Sequence, residues 1–282
     1  MKKILFPTDF SEAANHAFVY ALNVAKRMGA SITTLHTYQL PDINAVNLPH
    51  TLQEVYDSID LEEFENYRDS VPALHRIATD NGLDQVPIEH VMEKGTTVPT
   101  ILQTANAVGA DMIIMGTTGA SGLKEIFLGS VAGEVLEKAN CTVLTIPHKA
   151  VFDGKIDKIA LTTEFKDEEV KALRRVLDFA ELFGGEVHCI NVDTSHTHFY
   201  TKGMEKLKAE FSDRKNIHFE VLEGEFIMDA VVQYLEDHQI DILAMVTHKR
   251  NFFQELFKFS MTKSMSYHSN IPILSIQAHT LS

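Results

Sequence analysis

"KKILFPTDFSEAANHAFVYALNVAKRMGASITTLHTY" (Lys2–Tyr38) returns in altered form as "DKIALTTEFKDEEVKALRRVLDFAELFGGEVHCINVD" (Asp157–Asp193). Ile4 matches Ile159, Asp9 matches Glu164, Phe10 matches Phe165 and Leu35 matches Ile190, all at a constant offset of 155. Further on, Asp111 matches Asp241, Met115 matches Met245 and Leu144 matches Leu274 at an offset of 130. Because the offset falls from 155 to 130, the second copy is shorter by 25 residues, lost after its second strand. The extra length of the first copy is expected around Gln39 to Asp60, a loop leading into a helix. Self-similarity of this kind marks a duplicated structural unit. It predicts two homologous domains, residues 1–149 and 154–282, joined near Lys149 to Gly154.

Within each copy short apolar strands alternate with helical periodicity. "KILFPTD" reads as a strand, and Glu12 to Met28 as an amphipathic helix with Ser11 as its N-cap and Gly29 as its stop. "SITTLHTY" follows as a second strand. Glu62 to Asn81 has helical period and leads to a strand at "IEHVME". A helix near Val98 to Val108, the strand "DMIIMG", a glycine-rich loop, another helix and the strand "CTVLTIP" complete the unit. Strands that alternate with helices and are apolar almost throughout predict an α/β fold, a parallel sheet covered on both faces. Ligands of such sheets bind beyond the carboxyl ends of the strands, where the strand order reverses. Asp9 and Gly116 both fall at such ends.

The bulk properties set limits. At 282 residues, 45% hydrophobic and 23% charged, the chain suits a soluble two-domain protein. No apolar run approaches the roughly 20 residues that cross a bilayer. The first residues, "MKKILFPTDF", read as a strand and not as a secretory signal. Cys141 and Cys189 form no metal or redox pair by spacing, which suits a reducing cytoplasmic setting. A net charge of −14 with no basic patch argues against nucleic acid as a partner. A small polyanion can still be held by backbone N–H groups at a helix end.

"MGTTGASGLKEIFLGS" (Met115–Ser130) has the spacing for that. Gly116 closes a strand and lets an anion approach the main chain, and Gly119 can turn the loop through positive φ. Gly129 and Ser130 open the next helix, whose N–H groups and dipole favour negative charge. The plainer reading, glycines that merely close a strand-to-helix turn, fits the loop taken alone.

Gly-x2-Gly-x9-Gly-Ser after an apolar strand, together with "PTDFSEAA" after the first strand, resembles the universal stress protein family. The resemblance runs through the chain once in each half, as in a tandem member. It implies two Rossmann-like domains, each a five-stranded parallel sheet with helices on both faces. It also implies ATP as the ligand, with or without magnesium, where the glycine motif is kept. Carried over by position, Pro7, Thr8 and Asp9 form the first nucleotide-contacting loop. Thr37, at the end of the second strand, touches the adenine side. Met115, Gly116 and Gly119 begin the phosphate loop, and Gly129, Ser130 and Val131 end it. In the family, domains pair through the last strand of each copy, here "CTVLTIP" and "IPILSIQ", giving an internal pseudo-dimer with a homodimer also open.

The second copy departs from the motif. Gly116, Gly119 and Gly129 become Val246, Lys249 and Phe259, and only Ser130 keeps its match, Ser260. Pro7, Thr8 and Asp9 become Thr162, Thr163 and Glu164. Nucleotide is therefore expected in the N-terminal domain only, while Lys249 and Arg250 leave some anion attraction in the other. No catalytic residue and no metal site are expected. There is no GxxxxGK[ST] motif, and His196 and His198 in "DTSHTHFY" read as a solvated loop. His36 reads equally as a hydrogen-bonded structural histidine or an adenine neighbour. The stripe "FFQELFKFSM" (Phe252–Met261) reads as core. The function expected is a cytoplasmic ATP-binding stress-response protein that acts as sensor or adaptor toward a protein partner. A slow ATPase using the same pocket and a nucleotide-free scaffold are the alternatives.

Overall fold

The computed structural model describes residues 1–40, 52–117, 129–150, 152–166, 169–194, 200–247 and 271–281. In the first half β1 (Lys2–Pro7), α1 (Glu12–Met28), β2 (Ala30–Tyr38), α2 (Leu52–Asp80) and β3 (Ile88–Lys94) come first. They are followed by α3 (Thr97–Val108), β4 (Met112–Gly116), α4 (Ser130–Lys138) and β5 (Thr142–Ile146). The second half repeats the series as β6 (Lys158–Thr162), α5 (Val170–Glu181), β7 (Glu186–Asp193), α6 (Thr201–Glu210) and β8 (Ile217–Glu223). It continues with α7 (Ile227–Asp237), β9 (Ile242–Thr247) and β10 (Ile273–Gln277), then a 3-10 turn at Ala278–Leu281.

All ten strands join one sheet in the order β3-β2-β1-β4-β5-β10-β9-β6-β7-β8. Each half is a parallel five-stranded sheet, and β5 meets β10 antiparallel, Leu144 opposite Leu274. The expected edge pairing is thus what joins the halves, and it covers two strand edges that would otherwise expose unpaired N–H and C=O groups. The side chains seal the join. Gln277, buried, donates through Nε2 to the Leu136 carbonyl at 2.7 Å. The Arg27 guanidinium lies 5.7 Å from the centroid of the Phe183 ring.

Local chemistry sets the elements. Ser11 caps α1, its hydroxyl accepting the Ala14 N–H at 3.2 Å, and Gly29 ends it in the left-handed region at φ 62°. The buried face of α1 carries Ala14, Ala17, Phe18, Ala21, Leu22 and Ala25. Small residues let the helix sit close to the sheet, while Phe18 and Leu22 each contribute about 1.5–3 kcal/mol by burial. One apolar core lies under α1 and α5 and runs across both halves; a second lies under α3, α4 and α7.

The repeat extends to fine detail. Lys3 N–H donates to Asp111 Oδ2 at 2.7 Å, and Lys158 N–H donates to Asp241 Oδ2 at 2.8 Å. Phe10 and Phe165, equivalent residues, are both left-handed, at φ 58° and 55°. The second copy's shortfall is largely one helix: α2 has 29 residues and α6 has 10. One expectation is corrected here: the third helical segment begins at Leu52, ten residues before Glu62. β2 ends at Tyr38, where "SITTLHTY" ends, and Thr37 lies within it, paired with Glu93 of β3.

Candidate functional site

In the first half the strand order reverses between β1 and β4, the place where a doubly wound sheet opens a ligand crevice. Two connections flank it. The first leaves β1 through Thr8. Its buried hydroxyl accepts the Phe10 N–H at 3.0 Å, and its own N–H reaches the Leu35 carbonyl at 2.9 Å. These bonds, with the Asn15 amide donating to the Phe10 carbonyl at 3.3 Å, hold Phe10 in its left-handed conformation. Asp9 is exposed, and its Oδ1 accepts the Ser11 N–H at 3.1 Å.

A ring wall stands beside this turn. His36 Nδ1 lies 2.9 Å from the Thr8 carbonyl. A carbonyl only accepts, so Nδ1 carries a proton and donates it to this bond. Phe10 packs 5.2 Å from the His36 ring, and Tyr67 of α2 lies 6.1 Å from His36 and 6.0 Å from Phe10, so the three rings form one cluster. Burial raises the Tyr67 phenol above its ordinary pKa, so it stays a neutral donor.

The second connection leaves β4 at Gly116, paired with Ile146 of β5. Thr117 is buried, and its carbonyl accepts the Gly129 N–H at 2.6 Å, drawing the two ends of the loop together. A Cβ on Gly129 would lie 2.8 Å from that carbonyl, so glycine is the residue that fits. Gly129 is also the N-cap of α4 and makes no side-chain cap. Among the described residues no side chain caps the start of α4 at Ser130 and Val131, and N–H groups at such a helix start favour an anion.

The sequence profile of the universal stress protein family matches residues 1–147. The chain belongs to the universal stress protein family. It is 32% identical over 145 residues to Universal stress protein MJ0531 of Methanocaldococcus jannaschii, covering 51% of this chain and 81% of that protein. Universal stress protein MJ0577 of the same organism is 30% identical over 158 residues, covering 52% of this chain and 96% of that one. Over its full length the fold is similar to the crystal structure of a universal stress protein from Archaeoglobus fulgidus. That likeness has a TM-score of 0.73 at 21% identity and covers 98% of both chains.

Against this family frame, the residues expected at the site fall as follows. Pro7, Thr8 and Asp9 lie at the end of β1 and Gly116 at the end of β4, on either side of the crevice. Gly129, Ser130 and Val131 open α4. The Met115 side chain is buried in the core under α3 and α4 and does not line the crevice surface. Thr37 stands on β2, on the far side of β1 from β4. Gly119 lies outside the described residues, as do His196, His198, Lys249, Arg250, Phe259 and the Phe252–Met261 stripe.

The matching turn of the second half has the same backbone and a different occupant. Thr163 repeats Thr8, accepting the Phe165 N–H at 2.8 Å, and Asn191 replaces His36, donating to the Thr163 carbonyl at 2.6 Å. Here Glu169, buried, turns Oε2 into the turn. It accepts the Thr163 hydroxyl at 2.8 Å and the N–H groups of Glu164 and Lys166 at 3.0 Å each. Ala14 stands at that position in the first copy and offers no carboxylate. At the end of β9, Val246 takes the place of Gly116 and packs against the core. Reading the sequence missed Tyr67 and Glu169. A position-by-position comparison of the repeats at Ala14 and Glu169 contains the second signal.

Proposed function

We propose that the first half, residues 1–149, is an ATP-binding domain, and that residues 154–282 form a degenerate partner domain without nucleotide. On this reading the protein is a cytoplasmic sensor or adaptor of the stress response, and occupancy of the single site biases its contacts with a protein partner. The observation that carries the reading is the contrast between the two turns. In the second half a carboxylate of the chain itself takes three donors in the β6–α5 turn, and a branched side chain ends β9. In the first half the equivalent residues are Ala14 and Gly116.

Asp9 then accepts from a ribose hydroxyl or the adenine amine, and Tyr67, Phe10 and His36 offer an aromatic wall for the base. Gly116, Gly119, Gly129 and the α4 N–H groups of Ser130 and Val131 serve the phosphates. If magnesium accompanies the nucleotide, it neutralises phosphate charge. A thermal-shift titration of the full chain with ATP tests this. At 100 times the dissociation constant a native-state ligand stabilises by about 2.7 kcal/mol. A rise in melting temperature for wild type that vanishes in Gly116→Val is expected. No rise in wild type favours a scaffold without nucleotide. ATP turnover that disappears in Gly116→Val favours the slow ATPase.

A further inference from the structure

The second half carries a side-chain cluster that its nucleotide-free character leaves without a role. Glu186 and His188 alternate on β7 and so share one face, and His218 of β8 stands directly opposite His188 in the ladder. The Glu186 carboxylate meets both rings: Oε1 lies 3.1 Å from His188 Nε2, and Oε2 lies 3.1 Å from His218 Nε2. One ligand atom from each residue falls within 4.8 Å of the others. Ligand atoms around a tetrahedral zinc with bonds of about 2.0 Å lie roughly 3.3 Å apart, so the three donors are already near coordination spacing.

The hydrogen bonding behind His188 sharpens this. His188 Nδ1 lies 2.8 Å from the Tyr234 hydroxyl, so the ring is held from the side opposite the nitrogen that meets Glu186. A hydrogen bond to the far ring nitrogen is the kind of support that fixes the orientation of a metal-binding histidine. The resident counter-charge is Lys158, whose Nζ is 4.0 Å from Glu186 Oε1 and donates to the His238 carbonyl at 3.2 Å.

We propose that Glu186, His188 and His218 form a binding site for a divalent transition cation of the zinc class, with water completing the coordination. Two imidazoles and one carboxylate suit zinc, nickel or cobalt, whereas magnesium and calcium prefer all-oxygen sets. The site lies where β7 and β8 begin. Because β5 and β10 pair antiparallel, the strands of the two halves run in opposite directions. The cluster therefore faces the same end of the sheet as the first-half crevice, several strands away.

The test uses the full chain, stripped with chelator and free of nucleotide, titrated with Zn2+ against a chromophoric competitor and with Co2+ by visible absorption. One site per chain is expected, with the d–d bands of a low-coordinate Co2+ centre. His218→Ala removes an exposed ring with little risk to folding, and Glu186→Gln keeps a hydrogen-bonding group. Each should weaken Zn2+ binding at least tenfold and abolish the Co2+ bands. His75→Ala, at the separate His75–His90 contact (2.9 Å between Nε2 atoms), should leave both unchanged. Absence of stoichiometric binding in wild type, or affinity untouched by His218→Ala and Glu186→Gln, would overturn the proposal and leave a hydrogen-bonded network anchored by Lys158.

Discussion

The turns after β1 and β6 share a left-handed phenylalanine, a threonine that holds it and a neighbour from the next strand that secures the threonine carbonyl. They differ in the side chains around that backbone. In the second half Glu169 brings a carboxylate to the turn from within the chain; in the first, Ala14 stands at that position and Asp9 Oδ1 accepts the Ser11 N–H. The two copies thus share the backbone device and differ in the acceptor set against it. A degenerate site need not collapse when its donors are met by an internal acceptor, since buried N–H and O–H groups require partners wherever they are found.

The largest test exchanges the strand-end residue. Gly116→Val copies Val246 into the first half and should weaken ATP at least a hundredfold by calorimetry, a change of about 2.7 kcal/mol. Retained affinity would mean that the end of β4 does not contact the ligand. Ala14→Glu copies the internal carboxylate instead. A loss of about tenfold or more in ATP affinity is expected, with circular dichroism confirming that the helix survives. Affinity at the wild-type level in a folded Ala14→Glu protein would separate the turn from the nucleotide.

The reverse exchange acts on stability. Glu169→Gln weakens three hydrogen bonds to a buried charged acceptor and should lower unfolding free energy by roughly 2 kcal/mol in urea, leaving ATP affinity unchanged. The smallest effect is read at Cys189. Burial first, and the nearby Glu169 charge second, raise its thiol pKa well above the ordinary range, and burial pushes Cys141 up to about 11. Both thiols should react slowly with a disulfide reagent at pH 8 in the native protein. Glu169→Gln should speed Cys189 alone, by loosening the turn in front of it.

The repeat made the fold legible because it exposes strand, cap and stop in one alignment: Ser11, Glu12 to Met28 and Gly29 fall where periodicity and capping put them. The α2 boundary was legible but missed: Thr51 followed three residues later by Glu54 is a capping-box pattern just before the start at Leu52, whereas the acidic run further on drew the boundary to Glu62. Glu169 sits in the acidic run "KDEEV", whose composition suits an exposed helix start; only the folded turn shows its carboxylate directed inward. The metal-type cluster was hidden for a related reason. Local spacing drew attention to His196 and His198, whereas His188 meets His218 through strand register across thirty residues of sequence.

The central claim, one occupied site on a duplicated frame, is tested most directly by the nucleotide that freshly purified protein carries. Denaturing the full chain and resolving the released small molecules by anion exchange with mass detection counts adenine nucleotides per chain. The account predicts about one, lost in Gly116→Val and kept in Glu169→Gln. Two per chain would contradict the internal carboxylate as a replacement for ligand in the second half. None, with no thermal shift on adding ATP, would contradict the first-half site itself.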